Sequence, residues 1–416
     1  MGEKKVLFES EELKNRFEDL KDFCKQYEID CYHDGISILE EEEDEEEYST
    51  LRLNTNSEII VYLPNEAEDL LELSDLIQFV EEARQGYFLN DYTFISGQKA
   101  YIRIGTSHIN FQDSMISEMN FQSKIDFEDI SYNVDIVWGL NSFNFKLAEK
   151  GLFSKYVPPY LEEDIFIVIE SDKKIVEAHL DIIFDSYFFE LKSTFNLEIE
   201  PNPWIYELWD YDEDEDDFKN MKEISLRPLL QGRGIKELLS IYKSAFDTSY
   251  PQQQILSFSR VIEYVSQTVI RKDLIEKTMI KLSSNRALSP DSNFILELGK
   301  IFEEHRDLGK DYQAFKITIS TCCDIYELAQ HAPEFLKKTN KITLNSNKDQ
   351  REQAFKEIVD AVTATRNMFA HAKTNYKPKG SECPTEQLEE FSGLMDIIAQ
   401  QTIRWFSVQK EDNRIV

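Results

Sequence analysis

The first 220 residues mix two patterns of apolar and polar positions. In two segments apolar residues recur every three or four positions, which predicts amphipathic helices over residues 10–28 and 65–86. Ser10 is the expected N-cap of the first helix. In the second, Asn65 and Glu68 have the spacing of a capping box, and Gly86 is expected to end the helix.

Short runs rich in β-branched and aromatic residues lie between and after these helices. They predict β-strands over residues 58–64, 99–106, 133–140 and 164–172. The segment 176–200 alternates less cleanly, and its pattern fits either a strand or a helix. The sequence therefore predicts an α+β domain over residues 1–220.

From about residue 235 the helical period dominates. The predicted helices cover residues 234–246, 251–272, 289–305, 309–331, 348–371 and 385–408. Pro251 stands in a first helical turn, Ser289 and Pro290 repeat that arrangement, and Pro384 precedes the last helix. Helices joined by short polar loops indicate an all-α bundle over residues 235–408.

The net charge of −33 is distributed unevenly along the 416 residues. Residues 221–416 hold 28 Lys and Arg against 26 Asp and Glu, which leaves 18 basic and 53 acidic residues in 1–220. The first domain should therefore favour a basic partner, whereas the second could approach a phosphate backbone.

Other features of the sequence narrow the classes of protein and of site. No stretch approaches the roughly 18 uninterrupted apolar residues of a membrane span, and the N-terminus lacks a secretory apolar region. We expect a cytoplasmic protein with no membrane partner. The acidic runs at 40–47 and 210–217 have the composition of solvated loops, and neither has the spacing of a metal-binding loop. We expect no metal and no other cofactor. The cysteines are odd in number, are spaced poorly for disulfides or zinc, and are expected to be reduced: Cys24, Cys31, Cys322, Cys323 and Cys383.

The predicted helix 348–371 carries an unusual arginine. On a helical projection Arg366 lies about 20° from Phe355, within the apolar stripe. A guanidinium there must be paired, or must face a cleft or an interface, because burying it unpaired is costly. Asn367 and His371 share a neighbouring face. Arg366 and His371 can converge only if the helix breaks near His371 or if a second copy of the chain supplies the partner.

Arginine, asparagine and histidine together fit phosphoryl chemistry. An imidazole transfers protons near neutral pH, and a guanidinium binds phosphoryl oxygens in a fork. RNA carries its own nucleophile, the 2′-hydroxyl, so such a site requires no metal. Side chains just beyond the motif could bind RNA, with three lysines contacting phosphates and a tyrosine stacking on a base: Lys373, Lys377, Lys379 and Tyr376.

The stretch RNMFAH (366–371) resembles the R-x4-H motif of the HEPN superfamily. ILSFSRVIEYV (255–265) is similar to the earlier helix of Apea-like HEPN domains from bacterial abortive-infection proteins, and its glutamate is Glu263. The resemblance covers roughly residues 235–408. It implies a HEPN-like helical fold and a metal-independent endoribonuclease acting in anti-phage defence or as a toxin. It also implies a homodimer through the C-terminal domain, with two motifs facing each other across a shared cleft that binds the RNA substrate.

The same resemblance implies a role for each residue of the motif. Arg366 would hold the scissile phosphate, and His371 would be the general acid and base. Asn367 would orient the phosphate or the imidazole, and Glu263 would tether Arg366.

Other functions remain open at this point. Arg366 paired with Glu263 could be purely structural, with His371 capping a helix, in a non-catalytic dimerising or regulatory scaffold. The helical domain could also be the toxin half of a toxin–antitoxin pair, silenced by modification at or near the motif, for which the Tyr376 hydroxyl would be a natural acceptor. The acidic domain could sense a basic trigger such as a phage protein, block the cleft, or hold the dimer.

Overall fold

The computed structural model describes residues 5–39, 50–65, 67–106, 119–127, 129–154, 157–204, 224–370 and 380–416. The chain forms two compact units. The first comprises residues 1–180 and 190–229, and the second comprises 181–189 and 230–416. The first is rich in strands and the second is helical, which confirms the predicted order of a mixed α and β region followed by a helical region.

The strands of the first unit begin and end as follows: β1 (Lys5–Phe8), β2 (Asp30–His33), β3 (Ile36–Ser37), β4 (Thr50–Leu53), β5 (Glu58–Leu63), β6 (Ala67–Glu72), β7 (Tyr87–Asn90), β8 (Thr93–Ser96), β9 (Lys99–Thr106), β10 (Met119–Asn120), β11 (Ser123–Phe127), β12 (Ile130–Trp138), β13 (Ile165–Ser171), β14 (Ile199–Pro201) and β15 (Ile224–Ser225). A seven-stranded antiparallel sheet has the order β11-β12-β13-β9-β8-β7, with β14 also paired to β9. A four-stranded antiparallel sheet has the order β3-β2-β5-β6. The parallel pairs β1-β4 and β10-β15 complete the described strands.

The first four helices in the chain are α1 (Glu11–Gln26), α2 (Leu73–Gln85), α3 (Ser142–Lys150) and α4 (Glu177–Phe195). The predicted N-cap of α1 is confirmed, since the Ser10 side chain accepts a hydrogen bond from the Leu13 N–H. All four predicted strands are present. Residues 176–200, whose sequence pattern fits either a strand or a helix, form α4 and the start of β14.

The predicted start of the second helix at Asn65 is wrong. Residues 67–72 form β6, which pairs with β5, and α2 begins only at Leu73. Asn65 has φ +71° and lies between these two strands, so it belongs to a hairpin turn rather than a helix cap. Gly86 does end the helix, because its N–H donates to the Glu82 carbonyl.

The second unit contains seven further α-helices in the described ranges 224–370 and 380–416: α5 (Ile235–Lys243), α6 (Pro251–Leu282), α7 (Ser292–Leu308), α8 (Asp311–Cys322), α9 (Ile325–Gln330), α10 (Lys348–Ala370) and α11 (Leu388–Ser407). Helix α6 lies at the centre and packs against α5, α7, α8, α10 and α11. Its fully buried side chains include Ile262 and Val265.

Three predicted boundaries in the helical region are wrong. Helix α6 extends ten residues beyond the predicted end, because no breaker precedes Ser283. Helix α7 is capped by Asp291, which accepts from the Phe294 N–H, and not by Ser289. The predicted helix 309–331 is interrupted at Cys323, and Asp324 caps the next helix.

The second unit also takes in residues 181–189 of α4, where Phe188 and Phe189 contact the ring of Tyr242. The domain ranges 1–220 and 235–408 predicted from the sequence assign this segment to the other domain. A segment that ends 41 positions before the rest of the unit thus contributes to the helical core.

Two features are absent from the described residues. None of the described helices is both long and apolar enough to cross a membrane. Among the same residues, no group of three or more His, Cys, Asp or Glu side chains is placed to hold a metal ion.

Candidate functional site

The buried face of α10 differs from the stripe predicted from its sequence. Its centre is formed by Ala354, Ile358, Ala361 and Thr365, all fully buried. Phe355, taken as the centre in the projection, is only half-buried. Small residues were left out of the predicted stripe, although they let a neighbouring helix approach closely. Arg366 therefore lies at the edge of the buried face, about 80° from Ile358, and not in its middle.

The edge position gives Arg366 access to carboxylates on two neighbouring helices. Its Nη2 forms an ion pair with Glu263 Oε1 on α6. Its Nη1 donates to Asn367 Oδ1 at 3.1 Å and lies 3.6 Å from Asp311 Oδ2 at the start of α8. The side chain of Arg366 is 21% exposed, whereas that of Asp311 is 82% exposed. The contact with Asp311 is therefore the one that a solvent anion could replace.

A cleft of about 270 Å³ opens beside this guanidinium. Its lining is drawn from α8, α10 and the segment that follows α10: Asp311, Tyr312, Phe315, Asp360, Thr363, Ala364, Arg366, Asn367 and Ser381. The volume is at the lower end of the roughly 300–1,000 Å³ typical of ligand sites. It suits a phosphate and part of a sugar better than a complete dinucleotide.

One wall of the cleft is fixed by a tyrosine. The Tyr312 hydroxyl donates to Asp360 Oδ1 at 2.8 Å and joins α8 to α10. Burial, and then the hydrogen bond to this carboxylate, raise the pKa of Tyr312 to about 12. Tyr312 is thus a protonated donor near neutral pH and does not serve as a general base there.

The described part of the cleft does not have the charge that RNA would favour. Its described lining has one guanidinium and two carboxylates, those of Asp311 and Asp360, and Glu263 is a third carboxylate paired with Arg366. The basic side chains predicted to contact RNA lie outside the described residues: Lys373, Lys377 and Lys379. The electrostatic case for RNA binding depends on those three lysines.

Two other predicted site residues, His371 and Tyr376, also lie outside the described residues. The structure therefore brings together Arg366, Asn367 and Glu263 and does not describe their relation to the histidine. The sequence did not point to Asp311, Tyr312, Asp360 or Ser381. Asp360 lies on the same helix as Arg366, and no sequence signal indicated that the neighbouring helix α8 contributes to the site.

No family model, curated protein or solved structure matches this chain. The chemistry of the site rests on an arginine that lines a small cleft, contacts carboxylates on two neighbouring helices and precedes a histidine by five positions in the sequence.

The cysteines lie apart from this chemistry. Burial raises the pKa values of Cys323 and Cys383 to about 12, and it raises that of Cys322 as well. Their thiols stay protonated near neutral pH and are poor nucleophiles. Cys24 and Cys31 are fully buried in the first unit, with their sulfurs 3.9 Å apart. Cys24, Cys31 and Cys383 are buried in the cores of the two units, whereas Cys322 and Cys323 are half-buried.

Proposed function

We propose that the helical unit is a metal-independent endoribonuclease of the HEPN type, acting in anti-phage defence or as a toxin. The observation that carries the proposal is the ion pair between Glu263 and Arg366, which lines the cleft. It holds a guanidinium in a fixed place, and among the described residues its other nitrogen, Nη1, faces an exposed carboxylate and Asn367.

The proposed reaction uses the ribose as nucleophile. The 2′-hydroxyl oxygen attacks the adjacent phosphorus, and the bond from phosphorus to the 5′-oxygen of the next nucleotide breaks. His371 takes the proton from the 2′-hydroxyl and returns a proton to the leaving 5′-oxygen. Arg366 stabilises the charge that develops on the phosphoryl oxygens. The products are a 2′,3′-cyclic phosphate and a 5′-hydroxyl.

A homodimer in which two motifs share one cleft is part of this proposal. So is a regulatory role for the acidic first unit, which would recognise a basic protein such as a phage component. The uneven charge of the chain supports the second idea, because 53 acidic residues fall in the first 220 positions.

A scaffold role is the second candidate, and one observation favours it. Glu263 already satisfies the Arg366 guanidinium, and the described cleft carries more carboxylates than cations. Cleavage of RNA by wild-type protein and loss of cleavage in His371→Ala separate the two functions. A scaffold would show no cleavage in either protein.

A further inference from the structure

The four-stranded sheet of the first unit has one buried face and one exposed face. Because successive residues of a strand point to opposite sides, β5 divides its side chains between the two faces. Three of them are at most 2% exposed and belong to the core of the first unit: Ile59, Val61 and Leu63. The other three point away from that core and are half-buried or exposed: Glu58, Ile60 and Tyr62.

The strand register arranges the exposed face in three rows across β2, β5 and β6. Directly opposite residues share a face, and their pairing gives these rows: Asp30, Tyr62 and Glu68; Tyr32, Ile60 and Leu70; Glu58 and Glu72. We call these eight residues the acidic sheet face. Its middle row is apolar and partly open to solvent, with Leu70 exposed by 53%. An apolar band therefore lies between two rows that carry carboxylates.

A cavity of about 700 Å³ opens over the first two rows. The ring centroids of Tyr32 and Tyr62 are 5.6 Å apart and the ring planes meet at 87°, so the two rings form a corner. Glu28 and Asp30 also line the cavity. The hydrogen bond from the Tyr62 hydroxyl to Glu68 raises the pKa of the tyrosine and brings a third carboxylate to the corner. Aromatic faces next to carboxylates attract cations.

The acidic sheet face has no described cation of its own. Neither Lys nor Arg occurs in β2, β3, β5 or β6, and none is among the described residues that line the cavity. Five carboxylates of the face and cavity form no ion pair with a described Lys or Arg: Glu28, Asp30, Glu58, Glu68 and Glu72. Their mutual repulsion falls when a cationic ligand binds, whereas an anionic ligand such as RNA increases it. The charge of this face therefore calls for a basic occupant.

The distance between the rows indicates the shape of that occupant. Glu58 and Tyr62 are four residues apart on β5, which is about 13 Å, and Ile60 lies midway between them. An extended chain has the same repeat along its own length. Its residues i, i+2 and i+4 can therefore place a cation, an apolar side chain and a second cation over the three rows.

We propose that the acidic sheet face binds an extended segment of a basic protein partner, with the pattern basic–x–apolar–x–basic. One arginine or lysine lies in the tyrosine corner beside Asp30 and Glu68. The apolar side chain packs on Ile60, and the second cation lies beside Glu58 and Glu72. This inference rests on the regulatory part of the proposed function, because it names the surface through which the acidic unit would recognise a basic protein.

Two fluorescently labelled peptides of identical composition test the spacing on the full-length protein. The first, Gly-Ser-Arg-Ser-Leu-Ser-Arg-Ser-Gly, has the proposed pattern. The second, Gly-Ser-Ser-Arg-Arg-Leu-Ser-Ser-Gly, has its two arginines side by side. Fluorescence anisotropy at about 50 mM salt gives both dissociation constants. Non-specific attraction to an acidic chain is the same for both peptides, because their charges are equal.

Three variants locate the binding surface. The double variant Asp30→Asn with Glu58→Gln removes one carboxylate from each acidic row. Its matched control is Glu18→Gln with Asp19→Asn, which removes the same charge from exposed positions on α1 of the same unit. Tyr62→Leu removes an aromatic ring and keeps an apolar side chain. Circular dichroism verifies that each variant is folded.

We expect the wild type to bind the first peptide with a dissociation constant below about 100 µM and the second at least about tenfold more weakly. The Asp30 and Glu58 double variant should weaken binding of the first peptide at least about tenfold. Tyr62→Leu should weaken it about three- to tenfold, because the cation loses an aromatic face. The Glu18 and Asp19 control should stay within about twofold of wild type.

Three results would overturn the inference. They are no binding of the first peptide at about 1 mM, equal affinity for the two peptides, and equal weakening by the two double variants. RNA takes no part in this experiment. Failure of peptide binding would therefore leave cleavage at the Arg366 site unaffected, whereas an absence of RNA cleavage would overturn the proposed ribonuclease and leave peptide binding intact.

Discussion

Arg366 and Glu263, 103 positions apart in the sequence, form an ion pair between α10 and α6 beside the cleft that Arg366 lines. The pair performs two tasks at once. It neutralises the positive charge of the guanidinium at the edge of the helical core. It also fixes the direction in which the remaining guanidinium nitrogens point. A structural arginine needs only the first task, whereas a catalytic arginine needs both.

Removing the charge of Glu263 tests this distinction. In Glu263→Gln we expect the free energy of unfolding to fall by only about 1 kcal/mol, because both side chains are partly exposed. RNA cleavage should fall on the order of 10²-fold, since a misplaced guanidinium no longer fits the phosphoryl centre. Chemical denaturation and initial cleavage rates measure the two effects.

Glu276→Gln is the control, on the same helix and with an exposed lysine partner. It should leave both quantities near their wild-type values. Normal cleavage by Glu263→Gln would show that the ion pair does not position Arg366 for catalysis.

Asp311 should compete with RNA for Arg366. Its exposed carboxylate lies 3.6 Å from Nη1, where a phosphate would approach. Asp311→Asn should therefore tighten RNA binding by about three- to tenfold, with the gain shrinking as salt screens the charge. Fluorescence anisotropy with a labelled, non-cleavable RNA at two salt concentrations measures it.

Asp307→Asn removes the same charge from an exposed position that is paired with Lys310. Comparison of the two variants separates an effect of the Asp311 carboxylate on the bound anion from an effect of the change in net charge. Equal tightening in both variants would contradict a specific contact between Asp311 and the bound anion.

Tyr312 makes the stability of the helical unit sensitive to alkaline pH. Its pKa is about 12 when folded and close to 10 when unfolded, so the unfolded chain loses this proton first as the pH rises. The stabilisation is complete below pH 10 and is lost between about pH 10 and 12. Tyr312→Phe should cost about 1 kcal/mol at pH 8, because the hydrogen bond to Asp360 disappears.

The difference in unfolding free energy between wild type and Tyr312→Phe should then shrink from pH 10 upward. Urea denaturation of both proteins at pH 8, 9.5 and 11 measures it. A difference that stays constant across this range would mean that Tyr312 does not titrate differently in the folded and unfolded states.

The helical unit should need its segment from α4. A fragment that begins at residue 221 lacks Phe188 and Phe189, which cover Tyr242. We expect it to unfold at a lower temperature than a fragment that begins at residue 177, because the lost aromatic contacts expose apolar surface. Thermal unfolding followed by circular dichroism compares them, and equal midpoints would count against this role for α4.

Residues 181–189 also show a limit of structure prediction from local sequence patterns. Periodicity located the helices and the central strands, because those patterns are local. The contribution of residues 181–189 to a core formed mainly by residues 230–416 depends on contacts that no local pattern records. The same limit explains the false helix start at Asn65, where pairing between β5 and β6 overrides an apparent capping box.

The candidate site shows the same limit. The R-x4-H spacing drew attention to Arg366, and the similarity of the earlier helix suggested Glu263 as its partner. Asp311 and Tyr312 could not be found, because α8 reaches the cleft only through the packing of the bundle. The helical projection predicts Arg366 within the buried stripe of α10, whereas it lies at the edge. The projection left out the small residues at the centre of the buried face, which are Ala354, Ala361 and Thr365.

RNA cleavage by purified full-length proteins in EDTA, with analysis of the product ends, tests the central claim most directly. The proteins are wild type, Arg366→Ala, His371→Ala and, as a control, Arg351→Ala, an arginine in the first turns of the same helix. The account predicts 2′,3′-cyclic phosphate ends from wild type and Arg351→Ala, with cleavage reduced at least about 10³-fold in the other two. Undiminished cleavage by Arg366→Ala, or no cleavage by the wild type, would contradict it.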